Sequence, residues 1–171
     1  MIKRAMPKYK NLVFVYGTLK RKEPNHHWIS EKSESFQFLG RATTINKYPF
    51  VIASSFNIPY VLEKPGVGNQ VIGELYSAKE EMLPHLDILE EHPKHYIRKQ
   101  TPVKLISCPK DEALTSEEEE LSAWLYFLPT FRDSILELPY ITEYSSKGNH
   151  GLPYKEREDR TASLDYVKEL H

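Results

Sequence analysis

The sequence predicts an α+β fold: a curved, mostly β core able to close on itself, with a few helices. Three observations predict it. Short apolar runs rich in β-branched and aromatic residues recur at close spacing, prolines and glycines punctuate them, and the clearest helical spacing falls between two of these runs.

The first run, residues 12–16, ends at Gly17, and its content favours a buried strand over a helix. Similar strands are predicted at 48–52, 58–62, 71–76, 103–106 and 123–128, with Pro49, Pro59, Pro65-Gly66 and Gly68-Asn69 as breaks. After the fourth, Ser77-Ala78-Lys79-Glu80 reads as a capping box with Ser77 at N-cap and Glu80 at N3. Met82, Leu83, Leu86 and Leu89 then recur at helical spacing, and Pro93 marks the far end. Pro84 lacks a backbone donor and disrupts a helix interior, so the alternative is a brief first turn and a fresh helix from near Leu83. Residues 110–120, with four consecutive glutamates at 117–120, read as a solvated excursion between strands. The tail beyond Pro139 lacks periodicity and is expected to lie over the core, with residues 163–171 as a short helix or a fraying end.

With 171 residues the chain is expected to be one domain, 1–171, able to bury a core without disulfides or metal. A net charge of -1 offers no field for nucleic acid or an anionic membrane. No apolar run approaches the ~20 residues that span a bilayer, and no secretory signal follows Met1. The lone Cys108 forms neither an internal disulfide nor a CxxC site, so the expected compartment is the cytoplasm. Nothing resembles a coiled coil or a long apolar edge, and the default is a monomer.

Glu90 is the first chemistry-bearing candidate. At 100° per residue it lies about 40° from Leu86 and about 20° from Leu83, inside the apolar stripe. A carboxylate on a buried face is costly unless paired, protonated or used, and burial raises its pKa toward the range of a general acid/base. Asp87 and Glu91 fall at or beyond the stripe's edge. The competing reading has Glu90 tilting into solvent or pairing with Arg98. Tyr16-Gly17-Thr18-Leu19 is the second candidate. A glycine turn after a strand can aim consecutive N–H groups at one point and hold a carboxylate or oxyanion. The competing reading is an ordinary turn. It is not a Walker loop, because the spaced glycines and the Gly-Lys-Ser/Thr ending are missing.

The rings of the adjacent His26-His27 point apart on regular structure, and His92-x-x-His95, beside Pro93, lacks a nearby third ligand, so no metal site is expected. No serine occupies a G-x-S-x-G elbow, and Cys108 carries no cue for activation. Tyr126 lies in an apolar strand and its hydroxyl needs a partner if buried, while His150 and Tyr154 read as a lid or a packed loop.

Val13 through Lys20 resembles the signature strand and loop of the γ-glutamyl cyclotransferase superfamily, most closely the γ-glutamylamine cyclotransferases and their insect relatives, the troponin C-akin (Tina-1) proteins. Asn57-Ile58-Pro59, Val71 through Tyr76, Met82-Leu83 with Leu86-Asp87, Glu90, His150-Gly151-Leu152, Tyr154 and Arg157-Glu158-Asp159-Arg160 extend the likeness over about residues 11–160. The resemblance implies a mixed, mostly antiparallel, barrel-like sheet, no metal or cofactor, and a small γ-glutamyl molecule as the partner. It also implies a substrate loop at Tyr16, Gly17, Thr18 and Leu19, a catalytic Glu90, and conversion of a γ-glutamyl amine to 5-oxoproline and free amine. γ-Glutamyl-ε-lysine is the favoured substrate it implies. Other γ-glutamyl amino acids, glutathione, or an inactive binding domain of the same fold stay open. Pro84 and the run at 117–120 depart from the family's pattern.

Overall fold

A computed structural model describes residues 4–110, 112, 119–156 and 166–171. Arg157, Glu158, Asp159, Arg160 and the first half of the 117–120 run therefore lie outside the described residues. Strands β1 (Asn11–Val15), β2 (Phe36–Tyr48), β5 (Asn69–Ala78), β6 (Ile97–Leu105) and β7 (Leu121–Phe127) close a barrel in the order β1-β5-β2-β6-β7. All pairings are antiparallel except the closing one, where β1 meets β7 in parallel at Val13 and Trp124. β3 (Phe50–Ala53) and β4 (Ile58–Val61) form a separate antiparallel pair.

The five barrel strands all contribute to one apolar cluster, with Phe14, Leu39, Leu75, Leu105 and Leu125 at its centre. A second cluster lies on the opposite face of β1 and β7, joining Val13, Val15 and Tyr126 to helix residues Met82, Leu83 and Leu86 and to the fully buried Leu170. β1 is thus covered on both faces, which is why residues 12–16 read as a continuous apolar run rather than an alternating one.

Five predicted strands correspond to β1 and β4 to β7, and the predicted run at 48–52 is split by Pro49 between β2 and β3. Most of β2, the longest strand, was not predicted. Register shifts between Phe38 and Gly40 and between Thr43 and Lys47 interrupt its pairing with β5, so inward residues do not alternate along its sequence. Gly40 is required there, since its φ is +138° and a Cβ would sit 2.0 Å from the Ser107 carbonyl oxygen.

The predicted capping box is corrected. β5 continues through Ala78, and the buried Ser77 hydroxyl donates to Gln37 Oε1 (2.9 Å) rather than capping a helix. The helix that follows α1 (His27–Ser30), α2 (Met82–Leu89), begins with Glu81 at N-cap and no side-chain cap. Pro84 consequently falls in the first turn, where its missing N–H has no intrahelical acceptor to lose. This matches the alternative of a late helix start. Of the expected excursion at 110–120, residues 111 and 113–118 lie outside the described residues. After a 3₁₀ turn at Asp133–Glu137, the tail lies over the core. The Ile141 N–H donates to Phe50 O (2.8 Å), and Tyr144 is fully buried. The chain ends in a short helix, α3 (Tyr166–Leu170), where the Glu169 carboxylate accepts from Ser55 N–H (2.6 Å) and Oγ (2.8 Å).

Candidate active site

The C-terminal end of β1 runs into a turn whose residues each have a dedicated anchor. A Cβ on Gly17 would lie 2.9 Å from Pro59 Cγ, so glycine lets the turn pack onto β4. Thr18 is held by the buried Asn25, whose N–H donates to Thr18 O (2.9 Å) and whose Nδ2 donates to Thr18 Oγ1 (2.9 Å). His26 Nδ1 lies 2.8 Å from the Leu19 carbonyl, which can only accept, so that ring nitrogen carries the proton. Lys20 Nζ, buried, donates to Tyr144 O, and burial lowers its pKa from the ordinary lysine value. The Arg21 N–H (2.9 Å) and Nε (3.0 Å) donate to the buried Glu74 carboxylate, which also accepts from Tyr76 Oη (2.9 Å). Among the described residues, the backbone N–H groups of Gly17, Thr18 and Leu19 donate to no protein acceptor. A braced turn with free donors is preorganised to receive an anionic or developing oxyanionic group.

The turn opens onto a pocket, partly open to solvent, lined by Phe14 to Leu19, Asn25, Ile58, Pro59, Tyr60, Leu89, Glu90, Glu91, His95, Tyr96, Tyr126 and Tyr154. All five predicted site residues, Tyr16, Gly17, Thr18, Leu19 and Glu90, are therefore gathered on one cavity. Glu90 arrives there because α2 ends on it. It is the half-buried C-cap residue, and its N–H donates to Leu86 O (2.9 Å). The chain then reverses through Glu91 in the left-handed region (φ 52°), which stops the helix as Glu90 reaches the pocket. Glu91, placed outside the apolar stripe by periodicity, is exposed yet also lines the rim.

Arg98 does not serve as the Glu90 counter-ion suggested by the competing reading. It forks onto Asp87, with Nε 2.8 Å from Oδ1 and Nη2 3.1 Å from Oδ2, while its guanidinium lies 4.2 Å over the Trp124 ring. Tyr126 donates to the same Asp87 Oδ1 (2.7 Å), so its hydroxyl is already committed within the protein. Burial, followed by the hydrogen bond to Asp87, pushes the Tyr126 phenol far above its ordinary pKa and keeps it a donor. Tyr16 likewise donates to the Tyr126 carbonyl (2.7 Å). Its pKa is raised well above the ordinary value by burial first and by the Glu90 charge second. Tyr16 thus meets the pocket with its hydroxyl engaged elsewhere.

Sequence reading missed Asn25, the Asp87–Arg98–Tyr126 cluster and the aromatic floor of Tyr60 and Tyr96. Pro24-Asn25 signals only a turn, and a contact spanning residues 87, 98 and 126 has no local signature. His26 and His92 are engaged with main-chain groups, His92 Nδ1 accepting from Arg98 N–H (3.0 Å). Among the described residues no three His, Cys, Asp or Glu side chains gather as a metal site, and no helix is long and apolar enough to cross a membrane. Cys108 is buried and does not line the pocket.

His95 is buried against Tyr96 and Tyr60, and burial lowers its pKa from 6.5, with Glu91 opposing and His171 adding to the shift. The unfolded chain therefore binds a proton between the two pKa values that the folded protein refuses, and stability falls as pH drops below about 6.5. Melting curves between about pH 7.5 and 5.5 should show this loss, with a shallower slope in His95→Gln. An unchanged slope in that variant would remove His95 as the cause.

Fold and pocket together define a small β-barrel protein with a carboxylate-bearing pocket beside the end of its first strand. The chain belongs to the γ-glutamyl cyclotransferase, AIG2-like family, whose sequence model matches residues 13–146. It is 41% identical over 154 residues to a human γ-glutamylaminecyclotransferase, covering 87% of this chain and 99% of that one. It is 35% identical over 150 residues to the Troponin C-akin-1 protein of Drosophila melanogaster, covering 87% and 83%. The crystal structure of an AIG2-like protein from Mus musculus superposes with a TM-score of 0.78 at 38% identity, covering 89% of this chain and 99% of that one. The resemblance carried by the strand-and-loop motif and the expected barrel-like α+β fold are both confirmed.

Proposed function

We propose that the protein converts a γ-glutamyl amine, foremost γ-glutamyl-ε-lysine, to 5-oxoproline and free amine, with Glu90 as the acid/base. One observation carries this reading: Glu90, half-buried, and three main-chain donors with no acceptor among the described residues line the same pocket. Relatives of about 40% identity that are named γ-glutamylaminecyclotransferases support the choice of substrate class.

In the proposed reaction the N–H groups of Gly17, Thr18 and Leu19 hold the substrate's α-carboxylate or its γ-carbonyl oxygen. Glu90 takes a proton from the α-ammonium, since only the neutral amine attacks. The nitrogen then bonds to the γ-carbon, closing the five-membered lactam. The amide C–N bond breaks as Glu90 returns the proton to the departing nitrogen; the second proton, shed by the ring nitrogen once it has bonded to carbon, ends on the released amine as its ammonium, so atoms and charge balance with no co-reactant. Nucleophile and electrophile share one molecule, and the pocket's main task is to fold that molecule into attacking geometry. This chemistry calls for no cofactor, and we place the protein in the cytoplasm as a monomer acting on a free metabolite.

Incubation with γ-glutamyl-ε-lysine, γ-glutamyl-alanine and glutathione in parallel, with 5-oxoproline quantified, tests the proposal. The lysine isopeptide should give a kcat/KM at least about 10-fold above the other two, a gap of ~1.4 kcal/mol. Faster turnover of either alternative would reassign the substrate, and no 5-oxoproline from any of them would overturn the activity.

A further inference from the structure

The wall of the pocket supplied by the C-terminal tail is attached differently from the rest. Residues 151–153, 155 and 156 are exposed, and Tyr154 alone in this stretch is half-buried, with its side of the pocket facing the substrate loop. Hydrogen bonds tie the stretch to segments distant in sequence. Asn57 Nδ2 donates to Pro153 O (2.8 Å), Lys155 N–H to Phe56 O (3.1 Å), and Asn25 Nδ2 to Tyr154 Oη (3.0 Å). A segment joined by polar contacts near solvent, with little apolar burial, opens at low cost.

Asn25 belongs to both parts. Its side-chain nitrogen is bonded at once to Thr18 Oγ1 (2.9 Å) and to Tyr154 Oη, while its own N–H holds Thr18 O. An NH2 group has two hydrogens, and both are used here. The residue is 6% exposed, so these bonds are shielded from competing water.

We infer that Asn25 is a positioning residue of the site: one buried amide sets the substrate turn and latches residues 151–156 over the pocket through Tyr154. The latch closes the wall when the turn is in its binding geometry, coupling the two. Its kinetic consequences rest on the cyclotransferase reading; the latch itself does not.

Two variants separate its halves. Tyr154→Phe removes the hydroxyl that Asn25 Nδ2 holds and leaves the brace on Thr18 in place, and should raise KM about 5- to 10-fold with kcat within about twofold. Asn25→Ala removes the brace on Thr18 as well, and should add a fall in kcat of about 10-fold. The double variant should match Asn25→Ala alone, because the shared bond is already gone. Hydrogen–deuterium exchange of peptides spanning residues 151–156, measured without substrate, should be about 5- to 10-fold faster in both single variants. Wild-type exchange rates in Tyr154→Phe, or additive KM effects in the double variant, would overturn the latch. If Asn25→Ala does not fold, the Tyr154→Phe exchange and KM values decide alone. If the wild-type protein releases no 5-oxoproline, the function reading falls while the exchange measurement still judges the latch.

Discussion

Replacing Glu90 by Gln is expected to lower kcat by about 10³-fold or more while changing KM by less than about threefold. Gln keeps the size and hydrogen-bonding reach of the side chain and loses its charge and its ability to take and return a proton. Glu90 is half-buried at the C-cap of α2 and close enough to Tyr16 and Tyr126 for its charge to raise both phenols. Folding should survive, since Met82, Leu83 and Leu86 bury the helix face and Gln preserves the size of the side chain. Glu91→Gln is the matched control: it lines the same rim on the exposed side of the turn and should retain activity within about threefold. The measurement is released 5-oxoproline under saturating substrate, alongside circular dichroism of each variant. Near-normal turnover in Glu90→Gln would end the acid/base assignment.

The second large effect is expected at Asp87. Its carboxylate takes the Arg98 fork and the Tyr126 hydroxyl, tying the last turn of α2 to β6 and β7. The ion pair is mostly buried, with side-chain exposures of 16% for Arg98 and 21% for Asp87. Asp87→Ala strands the guanidinium and the phenol, and should cost about 2–4 kcal/mol of unfolding free energy in urea. Because Glu90 follows one turn later, kcat should also fall about 10-fold as its approach loosens. Asp87→Ala combined with Arg98→Met should recover part of the stability, since the unpaired charge is then gone. If Asp87→Ala unfolds within about 0.5 kcal/mol of wild type, the cluster is not what seats the end of α2.

Much of this site was legible because its two halves are local in sequence. Gly17 after a β-branched run marks a turn, and Glu90 at helical spacing from Leu83 and Leu86 marks a carboxylate on an inward face. Both signals survive without knowledge of what packs against them. The capping box misled because Ser77 and Glu80 have the right spacing while β5 continues through Ala78. Strand pairing with β1 and β2 outweighed the local cap. β2 escaped because two register shifts scramble the inward pattern on which period-two reading depends.

By itself, the sequence determined four of the five barrel strands, β1, β5, β6 and β7, along with the glycine turn, the inward carboxylate and the family. These follow from residue type and short spacing. Tertiary structure alone decided that Arg98 would neutralise Asp87 rather than Glu90, that Tyr16 and Tyr126 would turn their hydroxyls away, and that Asn25 would join turn to tail. The physical reason is distance along the chain: Asn25 meets Tyr154 and Asp87 meets Tyr126 only after the barrel closes, and no local pattern records which of several polar groups a closed barrel brings within 3 Å.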